Sequence, residues 1–411
     1  MIEFLEKINH KKLLIFFFLN VFLFPIYPFN LRPTLIVLLL ICSIFYSTKR
    51  KIKFSLKFNK SNESFYLNIS FFIILVIGLL YSKNTSAAIS TLFRMLPLFI
   101  FPIIFKCIYD ERHISEKLIL KAYSFFYLST VLLFLSFLVY FYFNGNITVN
   151  FLRNYNERIT NLLGRYSIHP LYASIYISTA LILSVKLLKK RYFNGSIIFF
   201  VNTLLTLNLI LLARKSTIII MFIFFVVYQL IFQKNRITKS LLLILLIIIL
   251  GITIFIFVPD ISYRFKDLTN FIENPNGSIG LRVNTLKCGF NSIFQNPILG
   301  YGIGDVEDVL NECYRSFPEI FNGKYYNSHN QYIGIWLSSG LLGFIGLIAM
   351  LVHGFLISIK FKNLESFAIL LLFSFMMFIE NILERQDGVL IFALFINLFS
   401  FTNQTKKSEV Q

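Results

Sequence analysis

The chain is short of charge, and above all of acids. Charged residues fill only 14% of its 411 positions, with 20 Asp plus Glu against 39 Lys plus Arg. A soluble domain carries about a quarter of its residues as charges, so this composition excludes an ordinary water-soluble enzyme. The apolar runs lack the period-two alternation of barrel strands, and glycine (18) and proline (10) interrupt them only singly, which excludes a β-barrel. No GxxxxGK[ST] occurs and no loop on the basic side is large enough for a nucleotide-binding domain, so this chain alone does not drive transport with ATP. Four cysteines and five histidines show no metal-ligand spacing, so no metal or cofactor is expected. No internal repeat is visible, and only the polar tail after Thr402 reads as disordered. The first apolar segment runs from Lys11-Lys12 into Pro25 and Pro28 without a small-residue cleavage site, and reads as a retained span.

What is abundant is apolar bulk: 56% hydrophobic residues, including 50 Phe and 21 Tyr. A spanning helix needs about 20 apolar residues. Runs of that kind lie near 13–29, 33–48, 65–82, 87–109, 119–143, 169–188, 196–213, 216–232, 240–258, 331–358, 365–382 and 388–402. The fold class expected is an all-α polytopic membrane protein with about twelve transmembrane helices and one large extracytoplasmic loop containing short helices. Residues 1–258 hold about nine spans, 259–329 the large loop, and 330–411 the last spans with a short cytoplasmic tail. On alternate connections lie 24 of the 39 basic residues, among them Lys11, Lys12, the run Lys49–Lys60, Lys186–Arg191, Lys234–Lys239 and Lys360. Short basic loops stay in the cytoplasm, which puts both termini there and the 259–329 loop opposite. The same rule accounts for the basic excess without nucleic acid.

Several charges sit where spans meet the far face. Arg94 (TLFRMLPLF) and Arg214 with Lys215 (LLARKSTII) end spans, Arg165 and His169 precede one (GRYSIHPLYAS), and Arg282 opens an apolar-periodic segment of the large loop. Singly, each reads as a side chain snorkelling to the headgroups. Together they make a clamp for a phosphate or diphosphate, which a guanidinium fork binds bidentately. His329, followed by Asn330, stands where the loop re-enters the bilayer. A neutral imidazole there is a candidate proton acceptor; the competing reading is a histidine that only caps a helix. Glu380 and Asn381, with Glu384 and Arg385, either form a local ion pair or line the cavity. The Gly300-Tyr301-Gly302-Ile303-Gly304 run after Asn296-Pro297 reads as a tight turn, not a nucleotide loop. Cys288 and Cys313, 25 residues apart in a compartment that permits disulfides, are expected to pair.

Taken in order, LLARKST, Arg282-x-x-x-Leu286, Gln295-Asn296-Pro297-Ile298-Leu299-Gly300-Tyr301-Gly302, His329-Asn330 and Gly340-Leu341-Leu342-Gly343 resemble the O-antigen ligase family over roughly 165–350. The resemblance implies a GT-C-like helical glycosyltransferase of the bacterial inner membrane. Its donor would be an undecaprenyl-diphosphate-linked glycan, used without metal or cofactor. It also implies that Arg214 and Arg282 hold the diphosphate and that His329 activates the acceptor; Arg165, Arg94, His169, Asn330 and Glu380 are added from charge placement. The family usually carries Ser before its Arg, where this chain has Ala213. The acceptor stays open between the lipid A-core of lipopolysaccharide, another lipid-linked repeat (polymerisation) and a protein. From a different class, a secondary transporter or lipid-linked glycan flippase also has about twelve helices with basic inner loops, and a structural membrane scaffold is a third reading.

Overall fold

The computed structural model describes residues 10–49, 63–109, 115–144, 155, 159–161, 164–212, 278–321, 323 and 326–408. The spans expected at 216–232 and 240–258 lie outside the described residues. The other ten coincide with helices: α1 His10–Val21, α2 Leu31–Lys49, α3 Glu63–Ile77, the pair α4 Thr85–Met95 and α5 Pro97–Tyr109, α6 Glu116–Phe143, α7 Pro170–Lys189 and α8 Gly195–Leu211. After α9 Ser278–Gln295 and α10 Val306–Arg315, both in the large loop, come α11 Gln331–Lys360, α12 Leu364–Met377 and α13 Gln386–Ser408. Six described helical segments, α4 and α5 counting as one, are long and apolar enough to cross a bilayer, and three shorter helices are also apolar. The chain is a multi-pass membrane protein.

Four boundaries differ from the sequence reading. The first span stops at Val21 and tightens into a single turn at Phe24–Ile26, because Pro25 cannot continue the hydrogen-bond ladder. The 87–109 segment breaks at Leu96, ahead of Pro97. The segment read as 365–382 leaves the helix at Met377, which frees Glu380 and Asn381 into a connection, 378–385. At the other extreme, the tail after Thr402 stays helical to Ser408, as Gln404, Lys406 and Lys407 are good helix formers and lysines suit a helix C-terminus.

α13 forms the axis of the bundle: Val389–Ile396, Leu398 and Phe399 are buried, among α3, α5, α11 and α12. Basic residues collect at one end. There His10 meets Lys49 at 2.8 Å, Lys190 meets Glu116 at 2.8 Å, and His353 meets Ser64 at 2.8 Å. The opposite end is built on α11, which is 30 residues long and broken at Ser339 and Gly340 (φ +60°). Below the break α11 runs antiparallel to α3, with Gly346 against Phe71 and Ile74. Above it, Gln331–Ser338 continues past the end of α3 and carries a small lobe. In that lobe Cys288, Ile293, Leu310, Tyr314 and Phe321 pack on Ile333 and Leu337, and Cys288 is disulfide-bonded to Cys313 as expected.

The Asn296–Gly304 turn docks the lobe at the break. Leu341 N donates to Pro297 O (3.0 Å) and Ile298 O (3.1 Å), Tyr301 N to Leu337 O (2.7 Å) and Gly302 N to Ser338 O (3.1 Å). Asp305 then accepts from Lys83 N (2.7 Å) and Asn84 N (2.8 Å), just ahead of α4. A side chain at Gly340 would run into the backbone of Ile298 and Leu299. Left-handed backbone costs a non-glycine residue about 1–2 kcal/mol, and this overlap adds to it.

Gly340→Ala is therefore expected to destabilise by more than about 4 kcal/mol. Gly323→Ala, also at positive φ (+70°) but with nothing within 4 Å, should cost only the local strain. Thermal unfolding of both variants in detergent checks this, and equal shifts would contradict it. Thiol titration of the denatured, unreduced protein should find Cys42 and Cys107 alone, with Cys288 and Cys313 appearing only after reduction.

Candidate active site

His329 ends the large loop one residue before the cap of α11. Asn330 is that cap, its Oδ1 accepting from Ile333 N at 3.1 Å, so His329 is not the capping residue. Its backbone takes a left-handed conformation (φ +45°), held by His329 N donating to Asn327 Oδ1 at 3.1 Å. Strain of this kind in a non-glycine residue costs on the order of 1–3 kcal/mol and collects at functional positions.

The imidazole reaches the 378–385 connection, where Nδ1 lies 3.2 and 3.3 Å from the two carboxylate oxygens of Glu380. A carboxylate is acceptor-only, so Nδ1 carries the proton and Nε2 keeps its lone pair in the neutral ring. No described residue hydrogen-bonds Nε2, and the His329 side chain is 26% exposed, open to an incoming hydroxyl. Burial pushes the Glu380 carboxyl up. The hydrogen bond and charge of His329, the Asn381 amide and the charge of His169 outweigh it and hold Glu380 below its ordinary value of 4.5.

A second carboxylate stands behind the first. Glu384 accepts from Asn327 Nδ2 (2.9 Å) and from Asn381 Nδ2, while Ser328 Oγ donates to Asn381 Oδ1 at 3.1 Å. Gln331 Oε1 accepts from Leu383 N at 2.6 Å. The two strands of the site are thus cross-linked through side-chain amides. Burial raises the Glu384 carboxyl; its two amide donors and Arg94 pull it back only in part, and Glu380 adds to the rise.

The structure brings His329, Asn330, Glu380 and, through their charges, His169 and Arg94 to one end of the bundle. His169 caps α7, its Nδ1 accepting from Leu171 N at 3.4 Å. Arg94 bonds Thr91 at 3.0 Å and opens on a cavity of about 410 Å³ whose apolar walls include Ile36, Phe93, Ile100 and Leu390, with Gln386 at its polar edge. Arg282 is half-buried on α9 and touches neither His329 nor Glu380. α9 runs in the same direction as the start of α11, Gly289 against Ile333 and Pro297 against Leu341. Seven residues before Gly289, about 10 Å along the axis, Arg282 is therefore level with the His329 end. Arg214 lies outside the described residues, as does the side chain of Arg165, whose backbone forms the turn Gly164–Tyr166.

Sequence reading passed over several contributors. Asn327, Ser328 and Gln331 flank His329 and Asn330 in sequence, where an uncharged polar side chain carries no signal of its own. Glu384, read with Glu380, Asn381 and Arg385 as an ion pair or a cavity lining, accepts from two side-chain amides. Arg32, buried at the start of α2, pairs with Asp387, which also accepts from Tyr176 at 2.9 Å; nothing local marks that contact. The Tyr172 hydroxyl is buried without a described partner and feels the charges of Glu380, Arg385, Asp387 and Glu384. A further cavity of about 370 Å³, lined by Glu63, Tyr66 and Ile73 on α3, lies toward the basic end, away from these groups. Among the described residues no three His, Cys, Asp or Glu gather as a metal site.

Comparison with known proteins bears on this geometry. Residues 200–348 match the family model described as O-antigen ligase, in agreement with the resemblance read from the motifs. An uncharacterized protein of Haemophilus influenzae is 28% identical over 156 residues, which is 35% of this chain and 39% of that one. The chain thus spans about two fifths of that relative's length.

Glu380→Gln removes the charge facing His329 Nδ1 and is expected to lose about 1–3 kcal/mol at neutral pH. Because the folded pKa of Glu380 is depressed, its contribution is present above the ordinary carboxylate value and lost as pH falls through the folded one. The gap in unfolding temperature between wild type and Glu380→Gln should therefore close below pH 4.5. A gap unchanged from neutral to acid pH would contradict the pairing.

Proposed function

We propose that this chain, a multi-pass membrane protein whose residues 200–348 match the O-antigen ligase family model, is a GT-C-like glycosyltransferase of that family. It moves a glycan from an undecaprenyl-diphosphate carrier to an acceptor hydroxyl at the periplasmic face of the inner membrane. The observation that carries this reading is His329, with Glu380 on Nδ1 and Nε2 unoccupied by any described residue. In the proposed step the acceptor hydroxyl oxygen attacks the anomeric carbon while its proton passes to Nε2. The bond from that carbon to the diphosphate oxygen breaks, both electrons leave with undecaprenyl diphosphate, and the configuration inverts. Glu380 stabilises the imidazolium that forms, and a base so placed contributes about 10²–10⁴-fold.

Negative charge grows on the leaving diphosphate, and preorganised cations lower that barrier. Arg94, Arg282, Arg214 and Arg165 take this role. The apolar cavity beside Arg94 suits the first isoprene units of the carrier, with the guanidinium at its mouth. The charge of His169 adds to what His329 and the Asn381 amide do to hold Glu380 ionised. The orientation follows from the basic end, where Lys49, Lys190 and Lys360 gather at helix termini; that end faces the cytoplasm with both chain termini.

The acceptor favoured is the lipid A-core of lipopolysaccharide, with repeat-unit polymerisation as the alternative. Secondary transport is disfavoured by the placement of the ionisable groups at one end of the bundle, where a transporter concentrates them near the midplane.

In a strain lacking this gene, His329→Ala and Arg282→Ala should each express normally and reduce surface glycan by about 10²–10⁴-fold. Accumulation of long-chain lipid-linked precursor supports ligation, and accumulation of single repeats supports polymerisation. Unchanged surface glycan in both variants would overturn the site.

A further inference from the structure

Half of α9 carries large apolar side chains that no part of the described protein covers. Phe290, Phe294 and Ile298 follow one another at four-residue spacing, with Leu299 beside them, and are 49%, 78%, 70% and 63% exposed. The other face of the same helix is fully used, Cys288 and Ile293 being buried in the lobe. An uncovered patch of this size is not left facing water without a partner.

Two contacts fix its depth. Leu341 N is bonded to the carbonyls of Pro297 and Ile298, and Leu341 and Leu342 begin the exposed apolar face of α11. From the other side, Tyr81 OH donates to Leu299 O at 2.8 Å, next to Leu80, which is 83% exposed at the end of the α3 span. The α9 patch is therefore continuous with the faces that α3 and α11 present to lipid.

The backbone tells the same story independently. Irregular chain is tolerated at membrane depth only where its polar groups are paired inside the protein. In the turn that follows the patch, Pro297 O accepts from Leu341 N and from Trp336 Nε1 (2.9 Å), Ile298 O from Leu341 N, Leu299 O from Tyr81, and Gly300 O from Asn296 Nδ2. Four successive carbonyls beside exposed side chains are satisfied without water. Lys287, exposed one turn before Phe290, stands where a headgroup phosphate would meet it.

We propose that the C-terminal half of α9 and the turn at 297–299 are embedded among the acyl chains of the leaflet at the His329 end, a wedge in the membrane and not part of a water-exposed loop. The occupant of the patch is bilayer lipid. The wedge bears on the height of the site: His329 lies eleven residues above Gly340, about 16 Å along the axis, on the headgroup side of the patch.

Trp336 is the single tryptophan of the chain, so Trp336→Phe gives a background free of other tryptophan for Phe294→Trp. In nanodiscs, that reporter should be quenched by lipids brominated on their acyl chains and shielded from aqueous iodide. Glu312→Trp on exposed α10 should behave in the opposite way. As a second measurement that leaves Trp336 intact, a nitroxide on Phe294→Cys, with Cys42 and Cys107 replaced by alanine, should be more accessible to oxygen than to a water-soluble nickel chelate. Iodide quenching at position 294 without bromolipid quenching, or preferential contact with the nickel chelate, would overturn the proposal.

Discussion

The arrangement depends on one close approach, that of the Pro297–Gly300 turn to the backbone of α11 at Gly340. Only a residue without a side chain accommodates it, and only a left-handed residue releases the helix there to accept bonds from outside. Above the break α11 becomes the pillar of the disulfide-linked lobe. Below it the same helix packs against α3 as any spanning helix does. Two environments are thus served by one continuous element, and the first turn of that element carries Asn330 and the site.

The site joins the end of the large loop to the connection between the last two helices, 51 residues apart in the chain. Neither segment is regular structure, so the side-chain amides of Asn327, Asn381 and Gln331 supply the hydrogen bonds that helices would otherwise provide. A strained histidine persists only when its surroundings over-determine it, and here an Asx-type bond and a carboxylate act on His329 while a helix cap fixes Asn330 beside it. Glu380 and Glu384 are pushed in opposite directions because the imidazole answers one, whereas burial and its neighbour's charge act on the other.

Much of this was legible in sequence, because hydrophobic runs and turn chemistry are local signals. Helices stand where ten apolar runs were read, the Asn296-Pro297 turn forms with Gly300 and Gly302 at positive φ, and Cys288 and Cys313 are bonded. The pairing of His329 with Glu380 was not legible in sequence, which offered Glu380 only a local ion pair or a place in a cavity lining. Reading the last-but-one span as far as 382 kept Glu380 in a helix, and the early exit at Met377 depends on packing that hydropathy does not encode. The Arg32–Asp387 pair, 355 residues apart, leaves no local trace at all. The loop at 259–329 was legible as a large extracytoplasmic loop with short helices and an apolar-periodic segment after Arg282, and nothing in that reading says what the segment's outer face meets. Its lipid-like face emerges only when four-residue spacing on α9 is combined with the bonds to Leu341 and Tyr81.

The most direct measurement follows the carrier during transfer by the purified, reconstituted protein. Given a lipid-linked glycan and lipid A-core, the account requires one undecaprenyl diphosphate released per glycan transferred, with the new glycosidic bond inverted relative to the donor. Glycan crossing the bilayer while still attached to its carrier, with no diphosphate released, would contradict it and make the chain a transporter.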